Sequence, residues 1–357
     1  METQERKTIL PIFRIMHLFP GAVTVFALLI TATVNTIGLA YGVNVWAFMG
    51  DPVQTLFSNH GLLGMMGLML FFIGTQTDIR KMKKLVHIGI PLLLVKHGVI
   101  YGAAVAFFFL FGYEGIGGIS FVLFLGCMAV QNAGIYSGVA DAYADDADRA
   151  FISISFFMYL PALPLIALSG TQGAPINYIS LISTVVPLAL GLLLGNLDPR
   201  IPPMFAKGNS MIAMFLGFQF GSFIDFVSFG SYIWQSLLLL ALYYVFAVLP
   251  GFLVEKFAFK RSGYLILSFS AVGGLCLSLP GLALQVTGMG SEALVAAQVS
   301  QLAFLLIATS LLAPLLTDLA NRIEFKNHPE WMRLKTPKAF EFYVEKQANK
   351  KAAANRA

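Results

Sequence analysis

Apolar residues run along this chain in blocks of about twenty, separated by short polar or glycine-rich intervals, near 19–41, 57–77, 86–111, 115–140, 151–169, 176–196, 208–226, 232–255, 263–288 and 293–317. A helix of about 20 apolar residues crosses a hydrocarbon core of roughly 30 Å. The pattern therefore predicts ten membrane-spanning helices. Two stretches 147 positions apart share one pattern: Phe71-Phe72-Ile73-Gly74-Thr75-Gln76-Thr77-Asp78-Ile79 and Phe218-Gln219-Phe220-Gly221-Ser222-Phe223-Ile224-Asp225-Phe226. Each closes an apolar block, so the chain divides into a first repeat at 19–169 and a second at 176–320. Five spans per repeat is an odd number, which turns the second repeat upside down relative to the first, as in many transporters.

Composition agrees with a polytopic membrane protein. Of 357 residues, 57% are hydrophobic and 11% charged, too apolar for a water-covered domain. The first block is longer than a signal h-region and is expected to remain as a span. Cys127 and Cys276 fall inside predicted spans and are expected to be small apolar fillers, with no metal or disulfide spacing.

Charge sets the expected orientation. With ten spans, every Lys and Arg except Lys96 lies on one side: Arg6, Lys7, Arg14, Arg80, Lys81, Lys83, Lys84, Arg149, Arg200, Lys207, Lys256, Lys260, Arg261 and the tail. The positive-inside rule puts both termini, 1–18 and 321–357, in the cytoplasm. The tail carries nine Lys/Arg and four Glu, the same excess as the whole chain's net charge of +5. Its segment from Thr336-Pro337 through Ala339, Phe340, Tyr343 and Val344 fits either a short helix lying on anionic lipid or a solvated tail. No basic face or aromatic platform suggests nucleic acid. Asp141, Asp145, Asp146 and Asp148 lack cation-loop spacing and are expected in a solvated loop with a helix cap.

Candidate chemistry gathers in the fourth and ninth spans, Gly126-Cys127-Met128-Ala129-Val130-Gln131-Asn132-Ala133-Gly134-Ile135-Tyr136 and Ser268-Phe269-Ser270-Ala271-Val272-Gly273-Gly274-Leu275-Cys276-Leu277-Ser278-Leu279-Pro280. Gly pairs and Pro weaken a helix, and freed backbone survives at membrane depth only against protein or a polar cavity. Both spans are expected to break at mid-depth and cross, aiming positive half-helix ends at one point. Gln131, Asn132, Tyr136, Ser270 and Ser278 would bind substrate there. Lys96, about ten residues into the third span and hence roughly 15 Å deep, is expected beside the crossing, as a partner for a substrate carboxylate or a counter-charge to helix ends. Tyr243 occupies the matching place in the eighth span, and His97 is expected to be an ordinary core histidine. Asp78 and Asp225, closing the repeated motif, are the coupling candidates, Asp225 being the better because no cation neighbours it. No nucleophile elbow, P-loop, zinc or dinucleotide motif is present, so neither an enzyme nor a cofactor is expected.

The stretch Gly191-Leu192-Leu193-Leu194-Gly195-Asn196-Leu197-Asp198-Pro199, followed by Phe205, Lys207, Phe218, Phe220-Gly221 and Ile224-Asp225, resembles the 2-keto-3-deoxygluconate permease family. Phe19-Pro20-Gly21, Lys96, Asn132-Gly134-Tyr136 and Thr309-Ser310-Leu311-Leu312-Pro314-Leu315-Leu316-Thr317 fit the same resemblance, which runs from about residue 18 to 320. It implies an all-α fold of two inverted five-helix repeats, similar to bile-acid sodium symporters, in the bacterial inner membrane. It also implies proton-coupled uptake of a sugar acid by alternating access, with the first, second, sixth and seventh spans moving against the rest. Sodium-coupled transport of another organic anion and a membrane-embedded sugar-acid sensor are the competing expectations.

Overall fold

The computed structural model describes residues 22–149, 151–155, 162–172, 178–206 and 208–354, with Ile12, Met16 and Met158. Phe19-Pro20-Gly21, Arg6, Lys7, Arg14, Lys207 and the loop at 173–177 lie outside these residues. The described residues are almost wholly helical, with two isolated β-bridges and no strand.

The principal helices are α1 (Ala22–Ala40), α2 (Asn59–Gln76), α3 (Ile79–Phe111), α4 (Phe121–Ala129), α5 (Ala133–Tyr143), α6 (Ala162–Gln172), α7 (Tyr178–Leu197), α8 (Gly208–Gly221), α9 (Phe226–Ala258), α10 (Tyr264–Ser268), α11 (Leu279–Thr287), α12 (Glu292–Asn327), α13 (Pro329–Lys335) and α14 (Pro337–Ala354). Among the described residues, four helical stretches are long and apolar enough by themselves to cross a membrane: Ala22–Ala40, Val86–Phe111, Phe226–Ala258 and Glu292–Asn327. The other apolar blocks are shorter helices or, at α4/α5 and α10/α11, helices interrupted in the middle.

Helices α1, α2, α7 and α8 pack as two tight pairs, α1 against α8 and α2 against α7. Gly221 and Gly74, the shared glycines of the repeated motif, permit this. A Cβ on Gly221 would overlap the backbone at Leu28 and Ala32 of α1, and one on Gly74 would overlap that at Leu188 and Leu192 of α7. Small residues let backbones approach where lipid supplies no hydrophobic drive for helices to associate. The exits of α2 and α8 are then held alike. Asn196 on α7 donates to the Thr77 carbonyl at 2.8 Å and accepts from Ile79 N–H at 3.2 Å. On α1, Asn35 donates to the Ile224 carbonyl at 3.0 Å and the Thr36 hydroxyl accepts from Phe226 N–H, also at 3.0 Å.

Two polar expectations change. Asp148 is not in a solvated loop: it is 2% exposed, its carboxylate 2.6 Å from Arg261 Nη2 and accepting the Tyr264 hydroxyl. Burial pushes the Asp148 carboxyl above its ordinary range, and the Arg261 guanidinium pulls it back. Glu255 stands on the far side of the same arginine at 3.6 Å, its oxygens accepting from the N–H groups of Leu265 and Ile266 at the start of α10. A buried carboxylate needs such partners, and a spacing rule along one loop cannot see partners supplied by a distant one.

Part of the tail packs on the protein itself. Helix α14 docks on the protein's own α5 and α12, burying Ala339 and Tyr343. The Tyr343 hydroxyl donates to Asp318 at 2.6 Å, Tyr343 stacks on Tyr143, and Phe340 packs on Phe325. Val344, expected among the apolar contacts, faces outward.

Candidate functional site

The interruptions of α4/α5 and α10/α11 meet each other. Helix α4 stops at Val130 (φ −105°, ψ 125°), Asn132 is extended (φ −97°, ψ 101°), and α5 begins at Ala133. On the other strand of the crossing, α10 ends at Ser268 and Gly273 is extended (φ −80°, ψ 140°) before a short helical turn leads into α11. Gln131 and Val272 face one another as an antiparallel bridge. Asn132 N–H donates to the Ala271 carbonyl at 2.9 Å, Gly273 N–H donates to the Val130 carbonyl at 2.9 Å, and Val272 N–H donates to the Thr309 hydroxyl at 2.9 Å. These bonds replace those the breaks remove, which is the condition for irregular backbone inside a membrane protein. Gly273 is needed because a side chain would strike the Gln131 backbone, and Gly274 because it would strike the Phe220 ring of α8.

Lys96 is fully buried and reaches the crossing from α3. Its ammonium donates to the Phe269 carbonyl at 3.3 Å and to Gln131 Oε1 at 3.5 Å, and lies 5.6 Å from the centre of the Phe269 ring. Among the described residues, no carboxylate forms an ion pair with it. Tyr243 comes from α9 on the opposite side, its single hydroxyl proton shared between the same Gln131 oxygen at 3.1 Å and the Ser270 carbonyl at 2.8 Å. Gln131 completes its bonding through Nε2 to the Met128 carbonyl at 2.9 Å. The amide is a junction that fixes both breaks.

Asn132 differs. Its Oδ1 accepts from Ile135 N–H at 3.1 Å and caps α5, while its Nδ2 is buried without a hydrogen-bond partner among the described residues. It borders a small space of about 10 Å³ between the crossing and the paired helices, where Thr24 (α1), Met69 (α2) and Phe220 (α8) face Asn132, Gly134 and Gly274. That volume accommodates about one water. The N-terminal end of α5 and the helical turn opening at Gly274 both border it, directing positive helix ends toward one place.

The remaining expected site residues are placed otherwise. The Tyr136 hydroxyl donates to the Asp148 carbonyl at 2.7 Å, away from the small cavity. Ser270 and Ser278 return their hydroxyls to the carbonyls of Leu267 and Leu275, at 2.6 and 2.8 Å. Lys96 stands behind Gln131 and does not line the cavity. Asp78 is exposed and caps α3 through Arg80 N–H. Asp225 is half-buried and caps α9, accepting from Val227 N–H at 3.0 Å and the Ser228 hydroxyl at 2.5 Å. His97 lies 2.7 Å from the Leu93 carbonyl, and both cysteines are buried and free. Thr24 carried no signal in the sequence, since a lone threonine in an apolar helix ordinarily bonds its own preceding turn.

A model of the 2-keto-3-deoxygluconate permease family matches residues 13–326. The chain is 30% identical over 206 residues to 2-keto-3-deoxygluconate permease 1 of Salmonella typhimurium, covering 58% of this chain and 63% of that relative. It is 24% identical over 310 residues to the 2-keto-3-deoxygluconate permease of Xanthomonas euvesicatoria, 85% of this chain and 95% of the relative. With that of Bacillus subtilis it shares 26% over 308 residues, 84% and 90% of the two chains.

Proposed function

The chain belongs to the 2-keto-3-deoxygluconate permease family, a family of permeases and not of enzymes, and we propose that it carries 2-keto-3-deoxygluconate or a related sugar acid into the cell by proton-coupled alternating access. The observation that carries this reading is the unpaired Asn132 Nδ2 at the crossing. A buried amide without a partner costs about 1–3 kcal/mol, and a hydroxyl or keto oxygen of the substrate would relieve that cost. A sugar acid presents those oxygens together with a carboxylate, which suits the helix ends bordering the same space and the uncompensated charge of Lys96 behind Gln131.

Six-carbon substrates need far more room than about 10 Å³, since ligand sites run to roughly 300 Å³ or more. The described state is accordingly closed around the site. The cavity lies between two groups of helices, so separating α1, α2, α7 and α8 from the crossing would open it. In that reading the two five-helix repeats are inverted, and the like clamps at Asn196 and at Asn35/Thr36 support the symmetry. Lys96 and Gln131 would act on the carboxylate at one remove. Tyr136, Ser270 and Ser278 would reach substrate only by exchanging their present bonds in the open state. Asp225, which caps α9 just beyond the end of α8, would bind a proton in one state and release it in the other, which couples the gradient to the motion.

Uptake of labelled sugar acid into proteoliposomes under separate proton and sodium gradients tests the whole reading. Accumulation is expected when the outside is acid relative to the inside, and none when the pH is equal on both sides. Accumulation under sodium alone would overturn proton coupling, and absence of uptake or exchange for any sugar acid would overturn the substrate class.

A further inference from the structure

The sugar-acid reading makes no use of a second, larger cavity, a groove of about 360 Å³ between α9 and α12. One wall is Tyr244, Val248, Phe252 and Lys256, and the facing wall includes Leu316 and Ala320. The four α9 residues recur every fourth position, a single helix face, and span about 18 Å at 1.5 Å per residue. One leaflet of a bilayer is about 15 Å deep. The groove is thus as long as a leaflet, apolar along its length, and closed at one end by the ammonium of Lys256, which is paired with the buried Glu324.

Its origin is local. Helix α9 widens into π-helical turns at Tyr244–Val248 and Val254–Ala258, above and below Pro250. Such bulges displace side chains from the regular stripe and are frequent at functional positions. The groove opens outward, with Val245, Leu249 and Leu319 on its rim largely exposed. In a chain embedded in a membrane, that rim faces acyl chains. At the closed end, Lys256 Nζ donates to Glu324 at 3.1 Å, which leaves two of its three N–H donors available. At the inner end sits Tyr244, next to the Tyr243 that fixes the crossing, and Leu267 of α10 closes the floor.

We propose that this groove binds one anionic phospholipid, an acyl chain lying between α9 and α12 and the phosphate meeting Lys256. The lipid would sit directly behind the broken helix α10, supporting it from the bilayer side. This rests on membrane embedding alone, not on the identity of the transported solute.

Native mass spectrometry of the delipidated full chain, titrated with phosphatidylglycerol or phosphatidylethanolamine of identical chains, tests it. One lipid is expected to bind with a preference for phosphatidylglycerol of roughly fivefold, the worth of one basic residue against an anionic surface. Lys256→Gln should abolish the preference while keeping the lipid count, Lys256→Arg should retain it, and Ala320→Phe, which fills the groove, should remove the bound lipid. Thermal unfolding of each variant verifies that it is folded. A preference unaffected by Lys256→Gln overturns the headgroup assignment. A folded Ala320→Phe protein that still holds the lipid overturns the site.

Discussion

Lys96 of α3 and Tyr243 of α9, 147 positions apart in the sequence, both donate to Oε1 of Gln131, at 3.5 and 3.1 Å. The offset is the one relating Gly74 and Asp78 to Gly221 and Asp225. One amide therefore receives a donor from each repeat, on the segment where the two breaks cross. Replacing Gln131 by Leu should take away the acceptor that the two donors share, leaving Lys96 only the Phe269 carbonyl and Tyr243 only the Ser270 carbonyl. A loss of about 1–2 kcal/mol is expected from the hydrogen bonds removed, read as a lower midpoint of thermal unfolding in detergent. An unchanged midpoint would mean that the junction does not stabilise the crossing.

Lys96→Met separates charge from scaffold. If the ammonium assists the carboxylate, affinity for the sugar acid should fall by roughly tenfold, about 1.4 kcal/mol, while affinity for the corresponding neutral alcohol stays the same. Calorimetry showing equal losses for both ligands would leave Lys96 a purely structural role.

Asn132 has two functions that one substitution can divide. Asn132→Asp keeps an oxygen to cap α5 but puts a carboxyl oxygen in place of the Nδ2 donor, so binding of the anionic substrate should weaken by about 1–3 kcal/mol or more, and the unfolding midpoint should fall because the buried carboxyl has no partner. Asn132→Ala should lose the cap as well. Full binding by the Asp variant would place the substrate elsewhere.

Asp225→Asn can still accept from Val227 N–H, so the start of α9 should persist. Gradient-driven accumulation is expected to vanish while substrate exchange continues. Undiminished proton-driven accumulation would remove Asp225 from coupling.

An inverted arrangement of the two repeats would place Val43 and Gly230 on the same, outer side and Lys260 on the inner side. Single cysteines at these positions test this against a low background, because Cys127 and Cys276 are buried. Labelling of Gly230→Cys from the cytoplasm alone would dismiss the five-plus-five arrangement.

The ordering of apolar blocks, the repeat around Gly74 and Gly221, and the two weak points at Gln131-Asn132 and Gly273-Gly274 were all legible in the chain. Each follows from local composition: hydrophobic length sets helix positions, and glycine and buried amides mark where a helix cannot continue. The chain alone also brought Lys96 to the crossing, since depth along a helix is counted directly from an interface.

What the tertiary structure decided is which polar atoms are already spoken for. Tyr136, Ser270, Ser278 and Gln131 look alike in a sequence, as donors and acceptors at mid-depth, yet all four have their hydroxyl or amide groups engaged by protein. Asn132 Nδ2 is the one left without a partner among the described atoms of these residues. The same holds for Asp148, paired with Arg261 from a loop more than a hundred residues away, and for the tail, whose Tyr343 is held by Asp318. Hydrogen bonds and ion pairs are satisfied by whatever lies within about 3 Å, and a short distance in space between residues far apart in the chain is created by folding, not by spacing.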